Sequence, residues 1–255
     1  MAADNRTALG TAPGDDALKV GDRVPDVTFR LRRGPDWVET STGEIFSGRS
    51  VVVFSLPGAF TPTCSAMHFP RYEELAPVFG KLGIDEIVCV SVNDAFVMAE
   101  WAKDQQTSHV RFVPDGNGEL AQAMGMLVDK RSLGFGQRSW RYSMLVKDGV
   151  IKKMFIEPEK DGDPFEVSDA DTMLRYLAPD AKPPSDILLF TKPNCGFCVK
   201  AKKALDDRGL VYEEVPSSPR RLRAVSGKAT TPQVFVDGEL VGGADELEAF
   251  LAARR

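Results

Sequence analysis

Three of the four cysteines in this chain stand where a thiol could do chemistry. Cys64 follows the β-branched run VVVFSL (51–56) and a turn rich in proline and glycine, whereas Cys195 and Cys198 form a C-x-x-C motif. A cysteine at a strand-to-helix junction can be a nucleophile or a small buried hydrophobe. A C-x-x-C motif at such a junction is typical of a redox-active dithiol. The spacing therefore predicts thiol redox chemistry at two separate places.

The residues just before Cys64 favour its thiolate form. Pro62 suits the first position of a helix, because the N–H that proline lacks would be unpaired there. Cys64 then falls in the first turn of a helix expected over 63–80, where free backbone N–H groups and the positive end of the helix dipole stabilise an anionic sulfur. Thr61 can offer a hydroxyl to a bound oxygen atom, and Gly58 lets the backbone come close. This stretch predicts a compact pocket for a small polar ligand.

The C-x-x-C motif predicts a second reactive thiol. Cys195 would lie at a helix N-terminus with Lys192 nearby, so we expect it to be the attacking thiol of the pair. Cys198 would be more buried and close enough to form a disulfide with Cys195. Half of a zinc site is the alternative reading of the motif, but the C-terminal region has no second ligand pair. We predict no metal site.

Cys89 and His68 are further candidates for thiol chemistry. Cys89 lies inside IVCVSV, a buried-strand pattern in which a thiol is an inert small hydrophobe. His68 comes one helical turn after Cys64 and could form a Cys–His dyad with it. We favour the alternative, in which His68 structures the loop or an interface. Pro70 predicts a kink in the helix that follows.

Composition and charge restrict the class of protein. The chain has 255 residues, of which 43% are hydrophobic and 27% charged, as in a soluble globular protein. A net charge of −5 and a pI near 5.3 argue against nucleic acid or an anionic membrane as a partner. No apolar run approaches the length of a membrane span, and the polar N-terminal segment lacks the apolar core of a signal peptide. We therefore expect a cytoplasmic location.

Two stretches of alternating strand and helix patterns define the predicted domains. The alternation predicts parallel pairing, and the hairpin signal KDG (147–149) adds an antiparallel edge, so the predicted fold class is α/β. Residues 179–185 are rich in proline and predict a linker. The alternation restarts after it on a smaller scale. We predict a larger domain at 17–178 and a smaller one at 186–255.

The loop around Cys64 resembles the active-site loop of the type-five peroxiredoxins. The segment PGAFTPTC (57–64) carries the similarity, and CVSVNDAFVMAEW (89–101) and WRYSMLVKDGVIKKMFIEP (140–158) extend it across roughly residues 17–178. The resemblance implies a thioredoxin-like domain in which Cys64 attacks the O–O bond of a peroxide and becomes a sulfenic acid.

The same resemblance assigns roles to three neighbours of the nucleophile. Thr61 would hydrogen-bond the peroxide, Pro57 would shield the pocket, and Arg141 would hold the thiolate and polarise the peroxide. A fixed guanidinium can do both, since it stabilises an anionic sulfur and donates several hydrogen bonds. Without the resemblance, Arg138 and Arg131 would be equal candidates.

The C-terminal region resembles glutaredoxin over residues 186–255. The C-x-x-C motif is followed by TTPQVFVDG (230–238) and by VGGADELEAF (241–250). Pro232 stands before a strand, the context of a cis proline that shapes a binding groove. Two glycines before a helix form an anion-binding arrangement of backbone N–H groups.

This second resemblance implies a glutathione site. Cys195 would form the mixed disulfide, and Lys192 would meet the glycine carboxylate of the tripeptide. Thr231 would pair its backbone with the tripeptide beside Pro232. The residues expected at the γ-glutamyl end are Gly243, Ala244 and Asp245.

The sequence thus predicts two thioredoxin-like domains in tandem, a peroxiredoxin domain and a smaller glutaredoxin domain, acting as a glutathione-dependent peroxidase. Cys64 would reduce hydrogen peroxide and alkyl hydroperoxides. Because 157–173 holds no resolving cysteine, Cys195 and glutathione would recycle it. We expect no tightly bound cofactor, a homo-oligomer, and glutathione as the co-substrate, recycled by glutathione reductase and NADPH. The alternatives are a redox sensor, a module that binds glutathione or an iron–sulfur cluster, and a general thiol–disulfide reductase.

Overall fold

The computed structural model describes residues 10–160, 163–180 and 185–253. Contacts divide the chain into two compact units, residues 1–181 and 182–255. The division falls inside the predicted linker, whose central part lies outside the described residues. Within the described ranges, no helix is both long and apolar enough to cross a membrane.

Strands and helices alternate along the first unit. Its strands are β1 (Thr28–Arg33), β2 (Asp36–Ser41), β3 (Ser50–Leu56), β4 (Glu86–Ser91), β5 (Val110–Pro114), β6 (Leu127–Asp129), β7 (Gln137–Ser139), β8 (Tyr142–Lys147) and β9 (Val150–Ile156). Its helices are α1 (Thr42–Phe46), α2 (Phe69–Lys81), α3 (Ala95–Asp104), α4 (Glu119–Ala123) and α5 (Ala170–Leu177). A five-stranded mixed sheet in the order β5-β4-β3-β8-β9 forms the centre of the unit, with β3, β4 and β5 parallel.

The central strand β3 is buried on both faces of the sheet. Because successive side chains of a strand point to opposite faces, Phe54 packs into one core and Val53 into the other. The first core is completed by α2 and α3, through side chains such as Tyr72 and Trp101. Cys64 belongs to this same core and is fully buried. The loop that leaves β3 therefore carries its cysteine against packed side chains rather than into solvent.

The helix expected over 63–80 is not continuous. Residues Cys64–His68 form a π-helical turn, in which the N–H of Phe69 donates to the carbonyl of Cys64, and α2 begins only after it. Pro70 lies in the first turn of α2. Proline has no N–H to donate and its ring clashes with the carbonyl four residues earlier, so the wider π turn relieves the clash. The break expected from Pro70 is thus a π turn on its N-terminal side.

The second unit is a smaller mixed sheet covered by helices. Its elements are β10 (Ile187–Thr191), α6 (Gly196–Asp206), β11 (Glu213–Pro216), α7 (Pro219–Ser226), β12 (Gln233–Val236), β13 (Glu239–Gly242) and α8 (Ala244–Ala253). The sheet order is β11-β10-β12-β13, with β10 parallel to β11 and antiparallel to β12. Leu189 of β10, Leu205 of α6 and Leu247 of α8 meet in its core. Cys195 lies where β10 gives way to α6, as the sequence predicts.

Candidate active sites

The loop after β3 forms a tight turn that presents Cys64. Pro57 and Gly58 are buried, and the Gly58 carbonyl accepts a hydrogen bond of 2.8 Å from the Thr61 hydroxyl. The N–H of Ala59 donates to Asn93 Oδ1 at 3.0 Å, which ties the loop to the end of β4. Thr61 uses its own proton in this turn, so its oxygen keeps lone pairs that can only accept from a ligand. The expected hydrogen bond between the Thr61 hydroxyl and a bound peroxide stays a prediction.

Arg141 is the arginine that the fold brings to Cys64. Strand β8 pairs with β3 so that Tyr142 lies opposite Ser55, and this register carries Arg141 to the loop that follows β3. Its side chain is 2% exposed, and its Nη2 lies 3.5 Å from Cys64 Sγ. Burial lowers the pKa of Arg141, but the charges of Cys64 and Asp163 outweigh burial and raise it above its usual value.

The two other candidate arginines lie elsewhere. Arg138 donates to the backbone carbonyl of Val92. Arg131 is largely exposed and pairs with Asp129 at 2.5 Å. Only the resemblance to peroxiredoxins distinguished Arg141 from these two at the level of sequence. Its contact with Cys64 agrees with that assignment.

His68 orients the arginine and does not act on Cys64. Burial and the positive charge of Arg141 hold the pKa of His68 well below its usual value, so the ring is neutral. Its Nε2 donates to the Ser168 carbonyl at 3.2 Å, since a carbonyl can only accept. Nδ1 is therefore the unprotonated nitrogen, and it accepts from Arg141 Nη1 at 3.0 Å. Both ring nitrogens are engaged away from Cys64, which argues against a Cys–His dyad, and the bond to Ser168 agrees with the alternative in which His68 structures the loop.

A loop that the sequence did not single out completes the pocket. The Asp163 carboxylate pairs with Arg141 Nη2, and the ring of Phe165 lies 5.5 Å from the guanidinium and 4.9 Å from the His68 ring. The buried carboxylate of Glu157 accepts hydrogen bonds from the backbone N–H groups of residues 166–168 and from the Ser168 hydroxyl. A charged residue directly after an apolar strand was the one sequence signal for Glu157, and Asp163 had none.

Cys89 lies in β4 without access to solvent. Burial, and then the negative charge of Cys64, raise the pKa of the Cys89 thiol well above its usual value. A thiol that stays protonated is a poor nucleophile. The structure therefore agrees with the interpretation of Cys89 as an inert side chain of the core.

In the second unit, Cys195 and Cys198 are joined by a disulfide. Cys195 is the N-cap of α6, and its sulfur accepts from the N–H of Cys198 at 3.1 Å. The Thr231 hydroxyl lies 3.4 Å from the same sulfur, and the Thr231–Pro232 peptide bond is cis, as the sequence predicts. Cys195 is 8% exposed and Cys198 3%. Cys195 is thus the more exposed residue of the pair.

The residues predicted to bind glutathione lie at three places in the second unit. Lys192 lies with Cys195 along a cleft of about 440 Å³, whose other lining residues include Thr191, Asn194, Lys202, Glu214 and Pro216. Thr231 and Pro232 flank the disulfide, because β12 lies beside β10. At the start of α8, Ala244 is buried, the Gly243 N–H donates to Glu246 at 2.9 Å, and Asp245 pairs with Lys200 at 2.8 Å. An anionic ligand at Gly243 would have to replace the Glu246 carboxylate.

The described residues include His, Cys, Asp and Glu, the side chains that most often hold a metal ion in proteins. Among them, no group of three or more His, Cys, Asp or Glu side chains is placed to hold a metal ion.

Comparison with protein families matches the two units separately. The family model described as Redoxin matches residues 19–174, and the one described as Glutaredoxin matches residues 187–241. The chain is 58% identical over 236 residues to a protein of Haemophilus influenzae called hybrid peroxiredoxin hyPrx5, covering 91% of this chain and 98% of that protein.

Peroxiredoxins are among the solved structures similar to the first unit. Reduced Prx3 from Vibrio vulnificus, in complex with H2O2, is 38% identical with a TM-score of 0.59, covering 63% of this chain and 99% of that one. Peroxiredoxin 5 from Alvinella pompejana is 32% identical with a TM-score of 0.56, covering 64% and 99%. Both resemblances drawn from the sequence are confirmed. The chain belongs to the redoxin family, as a peroxidase in which a peroxiredoxin domain is followed by a glutaredoxin domain.

Proposed function

We propose that Cys64 reduces hydrogen peroxide and alkyl hydroperoxides, and that glutathione and Cys195 return it to the thiol. The observation that carries this proposal is the 3.5 Å approach of Arg141 Nη2 to the buried Cys64 sulfur. A cation fixed at that distance favours the thiolate, which is the nucleophilic form. Cys89, the other cysteine of the peroxiredoxin domain, stays protonated in the core, so the electrons must come from outside that domain.

The first half-reaction cleaves the O–O bond. The Cys64 thiolate attacks the terminal oxygen of the hydroperoxide, a new S–O bond forms, and the alkoxide or hydroxide leaves and takes up a proton. The products are a Cys64 sulfenic acid and an alcohol or water. Thr61 accepts a hydrogen bond from the bound hydroperoxide, and Arg141 stabilises the negative charge as it moves from sulfur to oxygen. The buried Pro57 keeps bulk water away from the pocket.

The second half-reaction uses two molecules of glutathione. The first condenses with the sulfenic acid to give a Cys64–glutathione mixed disulfide and water. Cys195 attacks the glutathione sulfur, which frees the Cys64 thiolate, and a second glutathione then releases Cys195 and forms glutathione disulfide. Glutathione reductase and NADPH regenerate glutathione. Joining the two domains in one chain raises the effective concentration of Cys195 to about millimolar for a short linker.

The glutathione-binding residues belong to the same proposal. Lys192 would pair with the glycine carboxylate, Thr231 and Pro232 would border the tripeptide, and the γ-glutamyl end would lie at the start of α8. No cofactor other than glutathione as co-substrate takes part. A homo-oligomer and a cytoplasmic location are also proposed, on the resemblance and the composition respectively.

Glutathione-coupled NADPH consumption with hydrogen peroxide tests the proposal on the full chain. Cys64→Ser and Cys195→Ser are expected to lose turnover, whereas Cys198→Ser keeps much of it because the relay needs only the attacking thiol. Cys89→Ala is the matched control and is expected to turn over normally. Normal turnover of Cys195→Ser would show that the relay does not use this cysteine. A general thiol–disulfide reductase would instead keep all of its activity in Cys64→Ala.

A further inference from the structure

One nitrogen of Arg141 serves two anionic partners. Nη2 donates to Cys64 Sγ at 3.5 Å and also to the Asp163 carboxylate. Each of the two Nη2 protons thus has an acceptor. Nη1 donates to His68, whereas the buried Nε has no hydrogen bond to any described residue. The thiolate that performs the chemistry therefore shares its cation with a carboxylate.

The loop that carries Asp163 is held firmly in place. Four hydrogen bonds to the Glu157 carboxylate fix residues 166–168. Phe165 packs on both the Arg141 guanidinium and the His68 ring. Asp163 itself is about one third exposed, at 35%, so its charge is only partly screened by solvent. The segment that follows Asp163 is thus anchored beside the guanidinium, so the Asp163–Arg141 pair belongs to the site.

We propose that Asp163 tunes the peroxidase reaction through Arg141: it draws off part of the positive charge that would otherwise stabilise the Cys64 thiolate, while His68 and Phe165 keep the guanidinium in place. The inference rests on the proposed roles of Cys64 and Arg141. Its consequence is a thiolate that is less tightly bound and therefore more nucleophilic.

The other titratable groups around this pair, among the described residues, leave that assignment intact. His68 on the π turn is neutral because its pKa is lowered, and Cys89 on β4 and Tyr72 on α2 are neutral because burial raises their pKa values. Lys130 lies with its ammonium 4.3 Å from the ring centroid of Trp140 and is a second cation near Asp163: burial lowers the pKa of Lys130, and the charge of Asp163 raises it. The Glu157 charge is taken up by the loop N–H groups that it binds.

The size of the effect follows from distance. Cys64 Sγ and the Asp163 carboxylate contact the same nitrogen, so they are at most roughly 6 Å apart. A negative charge at such a distance raises the pH at which a neighbouring thiol ionises by about one unit in a partly solvated site. The rate constant of a thiolate as a nucleophile falls by about half a logarithmic unit for each unit by which the pKa of its thiol is lowered. Removing the carboxylate should therefore give a thiolate that forms at lower pH and reacts about threefold more slowly.

The experiment follows the alkylation of Cys64 by iodoacetamide across pH, on the full chain, with each cysteine resolved by peptide mass spectrometry. Asp163→Asn is expected to lower the midpoint for Cys64 by about one pH unit and to slow alkylation about threefold at high pH. Asp163→Glu keeps the charge and is expected to restore the wild-type midpoint. Glu166→Gln removes an equal charge from the same loop, where Glu166 pairs with Lys160, and should leave the midpoint unchanged.

An unchanged or higher midpoint in Asp163→Asn would overturn the proposal, as would an equal shift in Glu166→Gln. Thermal unfolding of each variant accompanies the measurement. A variant that unfolds early is replaced by Asp163→Ser, for which the same lower midpoint is expected. Alkylation consumes neither peroxide nor glutathione, so its outcome is independent of the coupled assay. Peroxidase turnover by Cys64→Ser would refute the proposed function, whereas the alkylation result alone decides the role of Asp163.

Discussion

Replacing Arg141 by lysine separates the charge of the arginine from its geometry. The guanidinium reaches three acceptors on three segments of the chain, which are Cys64 Sγ, His68 Nδ1 and the Asp163 carboxylate. A lysine ammonium has a single nitrogen and cannot occupy the positions of Nη1 and Nη2 together. At least one charge-assisted hydrogen bond is lost, worth about 1.5–3 kcal/mol.

If that loss falls on the transition state, the rate constant of Cys64 with hydrogen peroxide drops about 10- to 150-fold. Stopped-flow tryptophan fluorescence can follow this reaction, because Trp101 Nε1 donates at 3.0 Å to the hydroxyl of Ser65, the neighbour of Cys64. Arg138→Lys is the matched control, since Arg138 bonds the Val92 carbonyl instead. A rate for Arg141→Lys within a factor of about three of wild type would refute the argument that both terminal nitrogens of the guanidinium are needed. An equal loss of rate in Arg138→Lys would refute it as well.

The remaining predictions concern stability, glutathione binding and the buried thiol. Because burial and the charge of Arg141 lower the pKa of His68 in the folded state, the unfolded chain binds one more proton than the folded chain at low pH. The free energy of unfolding is therefore expected to fall as the pH drops below about 6.5, the pKa of an unperturbed histidine. Urea unfolding followed by tryptophan fluorescence should show this loss in wild type but not in His68→Asn. The fluorescence reports on the peroxiredoxin domain, because all three tryptophans lie in it. Parallel pH profiles of the two proteins would contradict the prediction. Glu246→Ala should lower KM for glutathione about three- to fivefold, because it frees the Gly243 N–H. Glu248→Ala is the control, since it removes an exposed partner of Lys200. An unchanged KM in Glu246→Ala would show that glutathione does not bind at the Gly243 N–H. Cys89→Ala should keep full turnover while losing about 1–2 kcal/mol of unfolding free energy, and lost turnover in a folded variant would give Cys89 a catalytic part.

Local features of the fold followed well from the sequence. The hairpin signal at 147–149 is the turn between β8 and β9, where Asp148 and Gly149 both have positive φ. Asp94 is the N-cap of α3, as its residue type and its place before a helical pattern favour, and it accepts hydrogen bonds from the N–H groups of Phe96 and Val97 at 2.8 and 2.9 Å. Such features depend on neighbours along the chain. The hairpin of β1 and β2 was missed because its strands carry mixed charged and apolar side chains and only partly bury them.

The form of the interruption in the helix after Cys64 does not follow from the local sequence. Pro70 predicts that a regular α-helix cannot continue unchanged through this position. Whether the chain bends, breaks or widens depends on what the following segment packs against. Here α2 lies on the core formed with Phe54, through Tyr72 and Phe79, and a π turn lets α2 keep that packing while Cys64 stays buried. Periodicity alone cannot choose among these outcomes.

The sequence by itself determined the two thiol centres, the α/β alternation and the family, because each is written in residues that are adjacent or nearly so. Tertiary structure decided what surrounds the first thiol. Arg141 is 77 positions from Cys64 and 73 from His68, and only the pairing of β8 with β3 brings them together. The tautomer of His68, the loop fixed by Glu157 and the sharing of one guanidinium nitrogen with Asp163 likewise depend on contacts between distant segments. A side chain carries its chemistry in its type, but the field and hydrogen bonds that tune it come from whichever strands and loops the fold places beside it.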